Sequence, residues 1–581
     1  MDSATHHFQT FETDVLVIGG GLAALRAAIS ARKAGARVLV ATKRLLGRSG
    51  SSALTTGGYA AASQALNPDD DPSQHYLDTI MGGGLLNERA LVKTLAEDAP
   101  ARLADLWEFG AQFRKRDGHY HLSPSGDHSH PRVLIPQTMR GADMSLPMRE
   151  VALALGVAVL ENCFIADLLK DDDRILGAVG FARNKPEGIF IRSGATILAA
   201  GGAGQLFQIT SNPIDVRGGG FALALRAGAR LRDMEFIQFY PWRVIRPFKA
   251  TRVPVQPSTF SLGGRLYNSS GERFMQTFDP VRKEATTRDV SARGIFEQIR
   301  TGRAIEGGVI LDVSQVPDEQ FRFENPKVVE LLERKNIDYR ATELIVAPEA
   351  HFFMGGVLID ENGASDLKGL FAAGENAGGV HGGNRLNSNA IPETQVFGHR
   401  AGLAAAQFAL SANRAKKPEP RATGKLSQQL QMLSSTAQPD ERFAQLHEQL
   451  KEAMTLDVGI VRTKRGLEQA AARARSMHDK AESLPTHTVS DLAEKLELQD
   501  LATVGEASAR SALARKESRA AHYRDDFPAT DPAQVATTTV DLNGIATRPL
   551  QIDPAEAKLI AARNQSPQAQ AQLQGEREHV E

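Results

Sequence analysis

The chain has 581 residues, more than one hydrophobic core usually organises, so two or more domains are expected. Its apolar fraction of 42% and charged fraction of 24% are those of an ordinary globular protein. A net charge of −1 provides no general attraction to nucleic acid or to an anionic membrane, so neither is an expected partner.

The single cysteine, Cys163, excludes an internal disulfide and an iron–sulfur cluster held on the chain's own thiolates. No run of about 18 apolar residues occurs, so no membrane-spanning helix is expected. Residues 1–13 lack the basic start and apolar core of a secretory signal. We therefore expect a cytoplasmic protein without a metal site, for which a partner would have to provide any association with a membrane.

The chain opens with a predicted strand, residues 14–18, followed at once by three glycines and an Ala-rich helix over 22–35. Gly19-x-Gly21-x-x-Ala24 is typical of dinucleotide binding, because the glycines allow a tight turn and close approach of the backbone to a diphosphate. The alternative is a structural glycine turn without a ligand. The next strand, 37–42, is followed by Lys43, so the acid that usually contacts the ribose is missing there.

Two later predicted strands, 195–200 and 369–373, also end on glycine, and three such strands favour an extended FAD over NAD. Hydroxyl- and glycine-rich loops near residues 48–58 add groups that can hold phosphate or flavin edges. The predicted cofactor-binding residues are Gly19, Gly21, Ala24, Thr42, Lys43, Ser49, Ser51, Thr56, Gly57, Gly58, Ala200, Gly201, Gly202, Glu375, Asn389 and Ala390.

These patterns predict an α/β fold: a Rossmann-like FAD-binding domain with an inserted α+β capping domain and a C-terminal helical domain. Helices are also predicted over about 87–109 and 391–410. The expected boundaries are 10–232 and 351–420 for the FAD-binding domain, 233–350 for the capping domain, 425–528 for the helical domain, and 529–581 for an extension with a mobile end.

Several motifs together resemble the flavoprotein subunits of succinate dehydrogenase, fumarate reductase and L-aspartate oxidase. The resemblance covers about residues 13–528. Its motifs are Met234–Phe239, Gly271–Met275, Thr287–Val290, Pro348–Gly356, Phe371–Leu386 and Ser518–Arg524.

The resemblance implies catalytic roles for Arg288, His351, Arg385, His381 and Tyr240. Arg288 would exchange the proton, His351 and Arg385 would hold a substrate carboxylate through charged contacts, and His381 would lie near the flavin or that carboxylate. Tyr240 stands where the family has a substrate histidine and could still donate a hydrogen bond. The motif Ser518, Arg519 and His522 could be structural or could close the site.

The chain also departs from the family pattern at other positions. Ser51 occupies the position of the histidine that attaches FAD covalently, so noncovalent FAD is expected. Residues 258–264 lack the arginine and glutamate of the proton relay. Trp242, Phe260 and Leu262 suggest a less polar substrate end, and hence a substrate with one anchored carboxylate and a bulkier or less charged remainder.

The sequence therefore predicts an FAD-dependent oxidoreductase that transfers a hydride between flavin N5 and an acid of succinate or fumarate type or a modified relative. An iron–sulfur subunit would exchange its electrons. One alternative is a stand-alone oxidase of the L-aspartate oxidase type, disfavoured because Ser125 replaces the glutamate thought to face the substrate amine, although Asp127 could substitute. Another alternative is a redox-silent structural flavoprotein.

Overall fold

The computed structural model describes residues 8–247, 253–411, 424–434 and 438–565. The first 232 residues supply most of the central sheet and the helices that flank it. In chain order these elements are β1 (Gln9–Ile18), α1 (Leu22–Lys33), β2 (Val38–Ala41), α2 (Gly50–Leu54), β3 (Tyr59–Ala60), α3 (Pro72–Gly82), α4 (Arg89–Glu108), β4 (Lys115–Arg116), β5 (His119–Tyr120), β6 (Leu122–Ser123), β7 (Val133–Leu134), α5 (Ala142–Ala154), β8 (Ala158–Leu160), β9 (Cys163–Asp171), β10 (Arg174–Ala182), β11 (Gly188–Leu198), α6 (Gly219–Ala227) and β12 (Leu231–Arg232).

The middle of the chain forms a second sheet, then returns to the first. Its elements are β13 (Ile237–Arg246), α7 (Ser258–Ser261), β14 (Arg265–Tyr267), α8 (Met275–Phe278), α9 (Arg288–Arg300), β15 (Val309–Asp312), α10 (Asp318–Glu324), α11 (Pro326–Glu333), β16 (Leu344–Phe353), β17 (Gly356–Leu358), β18 (Leu370–Ala372), β19 (Ala377–Gly378) and α12 (Ala390–Ser411).

The remaining elements are four helices, a hairpin and a last helix. They are α13 (Gly424–Gln431), α14 (Arg442–Asp457), α15 (Lys464–Ser483), α16 (Val489–Ala514), β20 (Ala536–Asp541), β21 (Gly544–Pro549) and α17 (Pro554–Gln565).

The central seven-stranded sheet brings the three predicted glycine-ended strands together. It has the order β8-β2-β1-β11-β10-β9, and β18 pairs with β11. β1, β11 and β18 run parallel, so Ile18, Leu198 and Ala372 lie side by side where these strands end. Val15 and Val17 have no exposed surface, as expected for a strand covered on both faces. The glycine turns after the three strands therefore share one edge of the sheet.

Helices α1 and α12 cover this sheet at very close range. A Cβ atom on Gly402 would lie only 2.4 Å from the carbonyl oxygen of Ala27, so the glycine is needed for this approach. The predicted helix at 391–410 is thus confirmed as α12, and the one at 87–109 as α4. The predicted fold class, with its FAD-binding, capping and helical parts, is also confirmed.

The capping region contains an antiparallel sheet of order β13-β16-β15-β14, backed by short helices. Its own apolar core includes Trp242, Phe260 and Phe321. Strand β16 continues past the predicted boundary at residue 350, and this continuation carries His351 back toward the FAD-binding part. The predicted boundary at 420 lies outside the described residues.

Part of the predicted C-terminal extension, residues 529–581, joins a sheet. β20 pairs with β12 and β21 in the five-stranded order β19-β17-β12-β20-β21. The hydroxyl of Thr538 donates to Glu235 Oε2 at 2.7 Å, and Arg515 Nε donates to Glu235 Oε1 at 2.8 Å. These contacts fix the hairpin to the end of α16 and to the start of the capping region. Residues 566–581, the predicted mobile end, lie outside the described part of the chain.

The buried pair Arg515–Glu235 should matter for stability. Glu235 has no exposed surface, so Arg515→Met would leave a buried carboxylate without its cation, and we expect a loss of about 3–5 kcal/mol. The matched control is Arg37→Met, which breaks a pair whose arginine side chain is 58% exposed, with an expected cost of about 0–1 kcal/mol. Thermal and urea unfolding of both variants would check this, and equal losses would contradict it.

Candidate active site

One elongated cavity of about 310 Å³ runs along the edge where the glycine-ended strands finish. At one end it is bordered by Lys43, Phe164 and Asp500, and at the other by Arg288 and Arg385. The FAD-binding part, the capping region and α16 all contribute to its wall. The cavity therefore connects a nucleotide end with a reactive end.

The glycine turn after β1 packs its backbone directly against the backbone at the end of β11. Gly19 has φ +129°, and a Cβ there would lie 2.1 Å from the carbonyl oxygen of Ala199. Gly21 precedes α1, whose first amide, Leu22 N–H, donates to Ser52 Oγ at 3.1 Å. The N-terminus of α1 thus opens into the cavity and presents the positive end of a helix dipole, which suits an anion.

Most of the sequence-predicted residues border this cavity. From the catalytic set, Tyr240, Arg288, His351 and Arg385 do so. From the cofactor set, the lining residues are Gly19, Gly21, Thr42, Lys43, Ser49, Ser51, Thr56, Gly57, Gly58, Ala200, Gly201, Glu375 and Ala390.

The remaining predicted residues lie behind the wall. His381 is buried, its Nε2 is 3.0 Å from Glu393 Oε2, and its ring packs on Phe352. Asn389 is buried between His75, at 2.9 Å, and Thr79, at 3.1 Å. Two other residues also stand back from the cavity: Ala24 packs within α1, and Gly202 lies against the Glu375 carboxylate.

The residues at the glycine-rich end fit an extended dinucleotide such as FAD. Ser51 Oγ and Asn212 Oδ1 are buried in the wall without a hydrogen-bond partner among the described residues. Buried polar atoms of this kind normally have a partner, so a polar ligand would satisfy them. Together with the helix N-terminus at Gly21, they form a site for a diphosphate and its attached groups.

An acidic residue from a distant part of the chain borders the nucleotide end of the cavity. Asp500, on α16, lines the cavity close to Lys43, whose Nζ is 3.0 Å from the carboxylate of Glu497 one helical turn earlier. Burial raises the pKa of Asp500, and Arg226 pairs with it at 2.5 Å. The helical region therefore takes part in the nucleotide end of the site.

Glu375 lies where β18 ends, with its carboxylate accepting from Phe353 N–H at 3.0 Å. Burial raises the pKa of Glu375 to about 7, so it is protonated in part at neutral pH. The next residue, Asn376, ties the turns together: its Oδ1 accepts from Ala200 N–H at 2.6 Å and its Nδ2 donates to Gly201 O at 2.8 Å.

At the reactive end, two buried guanidinium groups share one acceptor. Arg288 Nη1 and Arg385 Nη2 donate to Gln238 Oε1 at 3.1 Å and 3.0 Å. Arg288 Nη2 also donates to Asn387 Oδ1 at 2.6 Å. Neither guanidinium forms an ion pair with a carboxylate in the described part of the chain. Burial, and then the charge of Arg288, lowers the pKa of Arg385 to about 9.

His351 and Tyr240 complete this end but differ from expectation. Burial, with the charges of Arg385 and Arg288, holds the pKa of His351 well below its usual value, so the expected positive charge is absent. Its Nδ1 lies 2.8 Å from the Ser211 hydroxyl, and the two groups share a hydrogen bond. The Tyr240 hydroxyl donates to Val255 O at 2.6 Å, and its ring lies 4.9 Å from the Arg288 guanidinium.

The less polar wall predicted from Trp242, Phe260 and Leu262 is not formed by these residues. Trp242 and Phe260 pack on each other at 4.4 Å in the capping core, and Trp242 stands behind the Tyr240 ring. Uncharged residues of the capping region nevertheless border the elongated cavity, which is called the main cavity below. They are Pro254 and Gln256, together with Tyr240.

Several lining residues were missed by sequence reasoning. Asn387 and Ser388 lie just after Arg385 and could have been found as polar residues that continue that motif. Ser211 and Asn212 precede a proline in a polar loop, which is a weak signal. Asp500 carries no local signal, because an acidic residue inside a helix normally indicates a solvated face.

Within the described ranges no helix is both long and apolar enough to span a bilayer, and no cluster of His, Cys, Asp and Glu could hold a metal ion.

Comparison with known proteins places the chain in a family. Residues 14–391 match the FAD binding domain model and residues 447–566 match the fumarate reductase flavoprotein C-terminal model. The chain is 40% identical to one of the subunits of the fumarate reductase (CoM/CoB) of Methanothermobacter marburgensis, over 90% of this chain and 96% of that protein. It is 36% identical to L-aspartate oxidase of Caulobacter vibrioides, over 92% of this chain and 97% of that protein.

Among solved structures, Mycobacterium smegmatis Sdh1 in complex with UQ1 superposes with a TM-score of 0.84 at 31% identity, covering 95% of this chain and 98% of that one. The resemblance inferred from the motifs is confirmed. The chain belongs to the succinate dehydrogenase and fumarate reductase family of FAD flavoproteins and is an FAD-dependent oxidoreductase acting on CH–CH bonds.

Proposed function

We propose that this chain is the flavoprotein subunit of an enzyme that reduces or oxidises a carboxylic acid of succinate or fumarate type, or a modified relative. The observation that carries the proposal is the pair of buried guanidiniums, Arg288 and Arg385, without a carboxylate partner in the described part of the chain. Two buried cations beside a cavity are costly unless an anion joins them, so they indicate an anionic substrate.

A substrate carboxylate would bind to Arg385 and His351. Arg385 can offer its planar nitrogens to two carboxylate oxygens. His351 would donate from Nε2, in the tautomer whose Nδ1 accepts from the Ser211 hydroxyl. Arg385 is held by Gln238 on one side and rests on the Phe352 ring, 4.7 Å from its centre, on another. Because these supports are preformed, the carboxylate would be oriented without rearrangement.

Arg288 would give or take the proton on the substrate carbon. FAD bound in the cavity supplies hydride exchange with the neighbouring carbon when the substrate is in place. Gln238 and Asn387 hold two nitrogens of Arg288, and the Tyr240 ring lies against its guanidinium. These contacts hold the guanidinium at the cavity wall, in the fixed position that proton exchange with a bound substrate requires.

Tyr240 would position Arg288 rather than bind substrate, because its hydroxyl already donates to Val255. Its uncharged ring, with Pro254 and Gln256, borders the remainder of the substrate space. We therefore propose a substrate with one firmly anchored carboxylate and a bulkier or less charged remainder.

An iron–sulfur subunit is the proposed electron partner, since relatives of this chain are subunits of larger enzymes and the described residues offer no second redox centre. The L-aspartate oxidase relative keeps the stand-alone oxidase as a second candidate. Asp127, the residue that could have faced a substrate amine, does not line the main cavity within the described residues, which disfavours aspartate. Convergence of Arg288, His351 and Arg385 disfavours a redox-silent role.

The central test is turnover by the purified, FAD-loaded chain. We expect reduction of fumarate or a related unsaturated acid with a reduced viologen dye, or the reverse reaction with an artificial acceptor. Arg288→Lys should lower turnover by about 10²–10⁴-fold with FAD content unchanged, because lysine cannot occupy both acceptors or exchange the proton in the same place. Arg293→Lys on the same helix, where the arginine rests on Tyr523 at 4.9 Å, is the matched control.

Three outcomes would contradict parts of this proposal. Hydrogen peroxide produced by the isolated chain with substrate would favour the oxidase. Photoreduced enzyme that no carboxylic acid reoxidises would favour the redox-silent role. Full activity in Arg288→Lys would remove the assigned proton donor.

FAD should be bound without a covalent link, because Ser51 and its neighbours in the 49–52 loop offer no histidine at the cavity wall. Acid precipitation of the holoprotein is expected to release all yellow colour into the supernatant. Flavin fluorescence that stays with the precipitated polypeptide on a denaturing gel would show this expectation to be wrong.

Carboxylate binding should weaken at high pH. Arg385 has a pKa of about 9, so its charge is present at neutral pH and is lost as the pH rises through that value. The affinity for malonate, measured by perturbation of the flavin spectrum, should be constant up to about pH 8 and then fall toward tenfold per pH unit. An affinity that stays constant to about pH 10 would mean that Arg385 does not bind the carboxylate.

A further inference from the structure

A second, much smaller cavity lies on the other side of Arg288. It provides about 10 Å³ of space, and its walls include Arg288, Trp242, Asp127 and Glu284. This volume corresponds to the room that one water molecule occupies. The exposed residue Ser261 forms another part of the wall, so the small cavity lies between Arg288 and the solvent.

Two donors on its walls have no partner among the described residues. They are Arg288 Nε and Trp242 Nε1, and both are buried. A buried N–H group without an acceptor is costly, and a water that accepts from both would remove that cost. The lining of the small cavity therefore has both the size and the polarity that a bound water requires.

The proposed function requires a proton supply at this place. Once Arg288 has released a proton to substrate carbon, its neutral guanidine must recover one from solvent. The segment 258–264, where the family's arginine and glutamate are missing, contributes only Ser261 to the small cavity, next to Pro257. Another acid must therefore deliver the proton if turnover is to continue.

Asp127 is the acid placed to do so. It is partly exposed and borders the small cavity together with Arg288. One carboxylate oxygen accepts from Asn387 N–H at 2.6 Å, and the other accepts from the Ser125 hydroxyl. Asn387 in turn accepts from Arg288 Nη2, so Asp127 and Arg288 are connected through a single residue.

We propose that Asp127 carries protons between solvent and Arg288 through one water in the small cavity, in place of the family's arginine–glutamate relay. This inference rests on the proposed function. In the reducing direction, the Asp127 carboxyl takes a proton from solvent and passes it to the water, which passes one of its own to the neutral guanidine of Arg288. The sequence runs backward for oxidation, and no electrons move in it.

Glu284 also borders the small cavity but is already engaged. Its two oxygens accept from Arg273 at 2.9 Å and 2.7 Å, and Leu266 N–H also donates to it. A third carboxylate, Glu324, accepts from the hydroxyls of Ser258 at 3.0 Å and Ser123 at 3.2 Å. It is not among the residues that line the small cavity. Of the two carboxylates in the lining of the small cavity, Asp127 is therefore the one that does not form an ion pair with an arginine.

Asp127→Asn tests the relay. The amide oxygen can still accept from Asn387 and its nitrogen can face Ser125, so the contacts that position Asn387 are kept while proton transfer is lost. We expect kcat to fall by about 10²-fold or more, KM and FAD content to stay near wild type, and the solvent deuterium isotope effect on kcat to rise. Glu324→Gln is the matched control and should keep the wild-type rate and isotope effect.

A crystal structure of the FAD-loaded wild type provides a readout that does not depend on turnover. A water within hydrogen-bond distance of Arg288 and the Asp127 carboxylate is expected. With an active wild type, three results would overturn the relay and leave the proposed function standing. They are full activity in Asp127→Asn, the expected defect in Glu324→Gln in place of Asp127→Asn, and the absence of the water from the crystal structure. A wild type that turns over no carboxylic acid would overturn the proposed function, and the relay with it.

Discussion

The arrangement of the reactive end depends on the carboxamide of Gln238, which connects Arg288 and Arg385. Its nitrogen donates to Asn384 Oδ1 at 2.8 Å and to Arg385 O at 2.7 Å, which leaves its oxygen facing the guanidiniums of Arg288 and Arg385. One neutral side chain thereby holds two like charges at a common point. Because neither guanidinium forms an ion pair with a described carboxylate, the arrangement supports the proposed binding of an anion at this place.

The same interaction joins pieces that are distant in sequence. Gln238 comes from β13, Arg288 from the start of α9 and Arg385 from the loop before α12, so the capping region and the FAD-binding part must dock correctly for the triad to form. The β20–β21 hairpin and Arg515 brace this docking through Glu235, near the start of β13. Stability of the C-terminal hairpin and geometry of the reactive end are therefore linked.

How much the sequence could predict depended on how local each signal was. The glycine turn at Gly19 and the Arg288 and Arg385 motifs are contiguous patterns, and the structure places them at the cavity. The contributions of Asp500 and of the hairpin strand Ala536–Asp541 arise only when remote segments meet, so no local pattern could show them. The prediction that Trp242 forms part of the substrate wall was wrong for a related reason. Its apolar character is evident from the sequence, but packing decides whether it faces the main cavity or the capping core.

The charges at the reactive end also limit the substrate. Tyr240, which stands where the family has a histidine, cannot carry a positive charge. Burial raises the pKa of its phenol, so the side chain stays neutral, and its hydroxyl donates to Val255 O. Burial holds the pKa of His351 well below its usual value, so among the described residues Arg288 and Arg385 bring the positive charge to this end. Arg288 already donates from two nitrogens to Gln238 and Asn387. These contacts leave it fewer donors for a second carboxylate, which agrees with the proposed substrate that has a single anchored carboxylate.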